Sequence, residues 1–139
     1  MVSITFQPTT EDRILFVGGG EVAERRIRLF IEEPCNIVVI APVVTDRIGQ
    51  WAKEKRIIWW DRAFTSDDEQ FIITSSLFFI CTDNHKLNDS LHALGKKHHV
   101  WTNRSDDPGA CRFTIPSSLE LGDLHIAISA NNVGPRINR

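Results

Sequence analysis

The apolar run Ile14-Leu15-Phe16-Val17 stops on three glycines, Gly18-Gly19-Gly20, and a helix-period pattern begins at once with Glu21. A buried strand, a tight turn and a helix in immediate succession constrain the fold more than any other part of the chain. Read as G-x-G-x-x-A, Gly18 allows the sharp turn and Gly20 lets backbone approach a ligand without a Cβ in the way. Ala23 then lets the helix pack closely on its strand. The start of such a helix offers unpaired N–H groups and the positive end of the helix dipole, which favour a phosphate. The pattern predicts nucleotide binding at Gly18 and Gly20, with the amides of Glu21 and Val22 facing phosphate oxygens.

Apolar, β-rich runs alternate with helical patterns through most of the chain. Val2 to Phe6 reads as a first strand and Ile14 to Val17 as a buried one. Ala23, Ile27, Phe30 and Ile31 recur at helical spacing from Glu21 to Glu33, and Pro34 ends that helix. Ile37 to Ala41 is a continuous apolar strand of the kind covered on both faces, closed by Pro42. Thr45 is placed to cap a helix whose Ile48, Trp51 and Ala52 share a face. Ile57 to Trp60 reads as a strand, Asp67 to Phe71 as a short helix and Leu77 to Cys81 as a buried strand. Leu87, Leu91 and Leu94 define a helix ending near Lys97, and Val100 to Thr102 is a short last strand. This alternation predicts an α/β fold, a doubly wound parallel sheet of Rossmann type with helices on both faces. After Asp107-Pro108 the pattern changes. Arg112 to Ile115 and His125 to Ser129 read as two strands joined around Gly122-Asp123, so a β-rich segment is expected to follow a nucleotide-binding domain of residues 1–111.

Composition narrows the function classes. The 139 residues carry a net charge of −2, which gives no bulk attraction to nucleic acid or to anionic membranes. No apolar run reaches membrane-spanning length, and the N-terminus lacks the basic and apolar regions of a signal peptide. Three widely spaced cysteines, Cys35, Cys81 and Cys111, fit reduced thiols in a cytoplasmic protein. His98-His99 and Cys111 match no zinc spacing, so no metal site is expected. Trp51, Trp59 and Trp60 read as core or interface residues, because no basic cluster interleaves them. One element of a dinucleotide site is missing. About 20 residues beyond the glycines such folds carry an acid for the adenosine ribose, whereas here the second strand ends Ile40-Ala41-Pro42.

Several motifs, in order along nearly the whole chain, resemble one family. Val17 to Arg26 is similar to the glycine fingerprint of precorrin-2 dehydrogenases, the N-terminal part of siroheme synthases. That family also lacks the ribose acid after Ile40-Ala41-Pro42. Cys81-Thr82-Asp83-Asn84 with Leu87-Asn88 resembles the family's A-T-D-D-x-x-L-N, and Asn103 to Pro108 resembles N-V-V-D-D-P. Phe113 to Pro116 matches F-x-x-P, and Ile126 to Ser129 matches the strand before the family's S/T-x-G-x-S-P loop.

The resemblance implies NAD-dependent oxidation of the tetrapyrrole precorrin-2 to sirohydrochlorin, to which some members add iron insertion. It implies homodimers built through the β-rich segment, here residues 112–139, and a further helical domain that would start where this chain stops. Asp106 matches the family's catalytic aspartate and is expected to accept the proton that accompanies hydride loss; alternatively, Asp106 and Asp107 only shape an Asp-Pro turn. Pro42 and Val43 are expected to flank the ribose, and Thr82 and Asp83 to lie at the cofactor edge of the sheet. Thr82 either donates to a ligand or caps the following helix, and Asn88 supports local hydrogen bonding. Arg104, Arg112 and Arg136 are the expected contacts for substrate carboxylates. There are departures too: Arg104 and Ser105 replace two apolar residues, and Asn131 to Pro135 replaces a loop rich in glycine and serine, although Arg139 fits a family arginine. Two other readings stay open. One is an NAD-binding sensor without turnover, favoured by that loop and opposed by Asp106. The other is a dimerisation partner that no longer binds nucleotide, opposed by the intact glycine turn.

Overall fold

A computed structural model describes residues 1–129. Five parallel strands, β1 (Arg13–Val17), β2 (Asn36–Ile40), β3 (Ile58–Trp60), β4 (Leu77–Ile80) and β5 (Trp101–Arg104), form one sheet in the order β3-β2-β1-β4-β5. The helices are α1 (Glu21–Ile27), α2 (Asp46–Lys53), α3 (Glu69–Ile73) and α4 (His85–Lys97). This is the doubly wound arrangement predicted from the alternation of strands and helices.

Alternation along each strand sorts the core into two layers. Ile14, Phe16, Val39 and Phe79 point to one face, where Ala23, Ile27 and Phe30 meet Ile48 and Trp51 of α2. Leu15, Val17, Val38, Phe78 and Ile80 point to the other, against Ile72 of α3 and Leu91 of α4. Parallel strands covered on both sides must be apolar at consecutive positions, which is why β1, β2 and β4 read as unbroken hydrophobic runs. Phe16 and Phe79 stack across β1 and β4 with centroids 4.9 Å apart. Thr45 caps α2 as expected, its hydroxyl accepting from the Ile48 amide at 3.2 Å. Trp51 is buried, while Trp60 lies exposed on edge strand β3.

Four expectations change. Val2 to Phe6 forms no strand; Val2, Ile4 and Phe6 are exposed and pair with neither edge strand, β3 nor β5. The first helix ends at Ile27 rather than Glu33, and i→i−3 turns carry the chain on. Those tighter turns still bury Phe30, so the apolar spacing is satisfied without further α-helix. Arg112 to Ile115 is not half of a hairpin. Its Arg112 amide bonds to the Thr102 carbonyl, and Phe113 packs edge-on against Phe79 with centroids 5.3 Å apart. The hairpin instead pairs β6 (Ser117–Leu121) with β7 (Leu124–Ile128) around Gly122, starting just beyond Pro116, whose ring removes a backbone donor. Finally, Asn84, not Thr82, caps α4, with its side chain accepting from the Leu87 amide at 3.1 Å.

Candidate functional site

The loops leaving β1, β4 and β5 meet at the carboxyl edge of the sheet. The chain crosses from one half of the sheet to the other between β1 and β4, so their loops diverge there and leave a crevice. Gly18 takes φ +108°, and a Cβ on it would lie 2.7 Å from the Cys81 carbonyl carbon and 2.8 Å from the Thr82 nitrogen. Glycine is required there on both counts. Sequence reading left Gly19 as a free position, yet a Cβ there would come within 2.5 Å of Val44 and 2.7 Å of the Val43 carbonyl. Gly19 thus lets the β2–α2 loop, with Pro42 and Val43, close beside the turn; the third consecutive glycine was its only signal.

Gly20 differs from both. A Cβ on it would meet nothing within 4 Å. It stands at the N-cap of α1 with no side-chain cap, and the first helical bond runs from the Glu24 amide to the Gly20 carbonyl at 3.0 Å. The amides of Glu21, Val22 and Ala23 precede that bond. Open space over Gly20 beside these amides fits the pyrophosphate of a dinucleotide. At the end of β2, Ala41-Pro42-Val43 offers no cationic side chain for a ribose phosphate, which suits NAD.

Across the crevice, Asp106 follows β5 and gathers four donors. Its Oδ1 accepts from Arg104 Nε at 2.8 Å. Its Oδ2 accepts from Arg104 Nη2 at 3.1 Å and from Asn88 Nδ2 at 3.0 Å, and lies 2.7 Å from His85 Nδ1. Arg104 also donates to Asp89 at 3.0 Å. The guanidinium, above all, holds the Asp106 carboxyl well below the usual carboxylate range, and Asp106 in turn raises Arg104 above its ordinary value. Asn88, fully buried, also donates to the Thr82 carbonyl at 2.9 Å and accepts from the Thr82 hydroxyl. One amide side chain therefore joins the β4 loop, α4 and the β5 loop.

The other expected residues are spread around this edge. Thr82 and Asp83 lie on the β4 loop, with the Thr82 hydroxyl engaged by Asn88. Arg104 is turned inward onto two carboxylates, where sequence reading expected a contact for substrate. Arg112 lies over the Trp101 ring in a groove with His92, Lys96 and His99 on the outer side of β5. Arg136 and the Asn131 to Gly134 loop lie outside the described residues. Burial pushes the Cys81 thiol up to about 12 and raises Cys111 as well, so neither is a ready nucleophile. Among the described residues no three His, Cys, Asp or Glu side chains are grouped as metal ligands. His85, Asp89 and Arg26 were not singled out from sequence. Arg26 on α1 is half-buried, burial lowers it from its ordinary value, and its Nε has no partner among the described residues.

The Arg104–Asp106 pair carries a pH signature. A carboxyl whose native value is depressed adds stability above its unfolded value, and that contribution is lost as pH falls towards the native value. Arg104→Met is expected to cost about 3 kcal/mol at neutral pH, the scale for breaking a buried pair. The gap from the unaltered chain should shrink as pH drops below about 4. Denaturant unfolding of both chains across that range measures it; an unchanged gap would contradict the assignment.

Comparison with known proteins agrees with this geometry. A family model described as "Putative NAD(P)-binding" matches residues 6–117. The chain is 31% identical over 134 residues to a siroheme synthase of Pseudoalteromonas atlantica, covering 96% of this chain and 28% of that protein. It is 29% identical over 131 residues to the siroheme biosynthesis protein met8 of Schizosaccharomyces pombe, covering 90% of this chain and 47% of that protein. The chain thus spans less than half the length of these curated relatives. Among solved structures, "SirC, precorrin-2 dehydrogenase" superposes with a TM-score of 0.84 at 24% identity, over 97% of this chain and 64% of that one, which establishes a shared fold. From its glycine turn to the loops around Asn88 and Asp106, this chain belongs to the "Putative NAD(P)-binding" family whose model it matches, and it is similar to part of the siroheme synthases.

Proposed function

We propose that this chain carries the NAD-dependent oxidation of precorrin-2 to sirohydrochlorin, in the cytoplasm, as part of sirohaem formation. The observation that carries the reading is the linkage across the crevice: Asn88 ties the loop beside the glycine turn to Asp106. A dinucleotide laid on Gly18, Gly20 and the amides of Glu21 and Val22, with its ribose beside Pro42 and Val43, would run towards Thr82, Asp83 and Asp106. NAD supplies a hydride acceptor when bound. The protein's own part is to hold the cofactor by backbone, to shelter the reacting face and to manage the proton that leaves with the hydride. The substrate is rich in carboxylates, and Arg26, Arg112 and Arg136 are the arginines proposed to receive them.

Residues 1–111 form the cofactor domain in this reading and residues 112–139 the dimerisation segment. The register of the hairpin supports a second copy of the chain as its partner. Leu119 faces Ile126 and Leu121 faces Leu124, so one side of the ribbon is an apolar ladder, while Glu120 and His125 mark the other. Leu119, Leu121, Leu124 and Ile128 are each more than half exposed. An isolated two-stranded ribbon is marginal in water, and burying this face in a dimer stabilises it.

Two measurements test the proposal. Full-length protein mixed with precorrin-2 and NAD should form NADH, followed by absorbance. Asp106→Ala should bind NAD normally and lose turnover by roughly 10²-fold or more, whereas Gly20→Val should abolish binding and keep the fold. NAD binding with no turnover would favour a sensor, and no binding at millimolar NAD would end both nucleotide readings. By light scattering the unaltered protein should have the mass of a dimer and Ile126→Glu that of a monomer; a monomeric unaltered protein would refute the hairpin interface.

A further inference from the structure

The expected proton acceptor is poorly placed to accept. A carboxylate offers about four lone-pair sites, and Asp106 meets two donors of Arg104, one of Asn88 and the His85 ring. Its side chain is only 12% exposed, against 78% for His85. A guanidinium fork on a sheltered carboxylate stabilises the charged form and removes basicity. Asp106 therefore orients what surrounds it better than it takes a proton from substrate.

His85 has the complementary properties. It is the first residue of α4, directly after the Asn84 cap, and its Nδ1 lies 2.7 Å from Asp106 Oδ2. A carboxylate acceptor at that distance selects the tautomer with the proton on Nδ1 and leaves the Nε2 lone pair free. Among the described residues Nε2 has no hydrogen-bond partner, and the side chain is largely exposed on the same carboxyl-edge helix start that follows the Thr82–Asp83 loop. Asp106 is the charged group in contact with the ring, and Arg104, itself paired with Asp89, lies behind that carboxylate; Asp83 and Lys86 flank His85 in the chain.

Resting on the dehydrogenase reading above, we propose that His85 Nε2 is the proton acceptor of the oxidation and that Asp106 is its positioning residue. In each turnover one substrate C–H bond breaks with its electron pair leaving as hydride to NAD. A proton leaves the neighbouring carbon or pyrrole nitrogen for Nε2, and the electron pair it leaves behind becomes the new double bond. Asp106 stabilises the imidazolium until the proton passes to water, as a carboxylate behind a histidine does in other enzymes. The arrangement also gives Arg104 a purpose: it keeps Asp106 charged and fixed so that the imidazole keeps its tautomer.

The test uses the full chain with NAD and precorrin-2. His85→Gln, at an exposed helix start, should fold and bind NAD as before, yet lower kcat by roughly 10²-fold with little change in KM. Independently of activity, nitrogen NMR of the His85 ring should show Nδ1 protonated and Nε2 bare, a preference lost in Asp106→Ala. Unchanged kcat in His85→Gln beside an active unaltered enzyme would overturn the proposal and leave the dehydrogenase reading standing, as would a ring protonated on Nε2. NAD binding without turnover in the unaltered enzyme would overturn both.

Discussion

The parallel pairing of β1 with β4 is the constraint on which the rest of the site depends. It brings the ends of these strands side by side, so the two loops that follow must share a narrow space. Gly18 resolves the crowding by turning through a left-handed conformation against the Cys81–Thr82 backbone, where no side chain fits. Because the backbone of one loop rests on the other, the start of α1 and the start of α4 are set relative to each other. Phe16 stacked on Phe79, and Phe79 packed against Phe113, continue that registration into the core and out to the segment beyond β5.

The polar side of the crevice is held by charge and hydrogen bonding. Buried carboxylates and guanidinium groups are costly unless their bonding capacity is filled. Here Arg104 is filled by Asp106 and Asp89, and Asp106 by Arg104, Asn88 and His85. The network fixes the geometry at the edge where the cofactor would end, and it draws on residues from both α4 and β5. Its strength is what supports the proposal that the exposed histidine, held by the aspartate, takes the proton.

Much of this was legible in the sequence, because the sheet depends on local signals. Apolar runs, the glycine turn and Thr45 as a cap each reflect a short-range requirement, and the structure meets them. What escaped were long-range choices. The strand expected at Val2 to Phe6 has strand-forming residues, yet it joins neither edge of the sheet. Arg112 to Ile115 has strand chemistry, yet Phe113 is drawn against Phe79 and the pairing of β6 with β7 begins after Pro116. Thr82 and Asn84 are both capable caps, and the Asn88 side chain engages the hydroxyl of the first. Asp106 could be singled out by the motif around it. That Arg104 points inward, and that His85 meets Asp106 from another element, follows from β5 lying beside the start of α4, which no spacing along the chain reveals.

The central claim is that a dinucleotide lies across the edge between the glycine turn and the β4 loop. Backbone amide NMR of the full chain during titration with NAD tests it most directly. The account predicts saturable shifts concentrated at Gly18 to Ala23, Val43 and Thr82 to His85, absent from the β6–β7 ribbon. No shifts at millimolar NAD, or shifts centred on the groove beside Trp101, would contradict it.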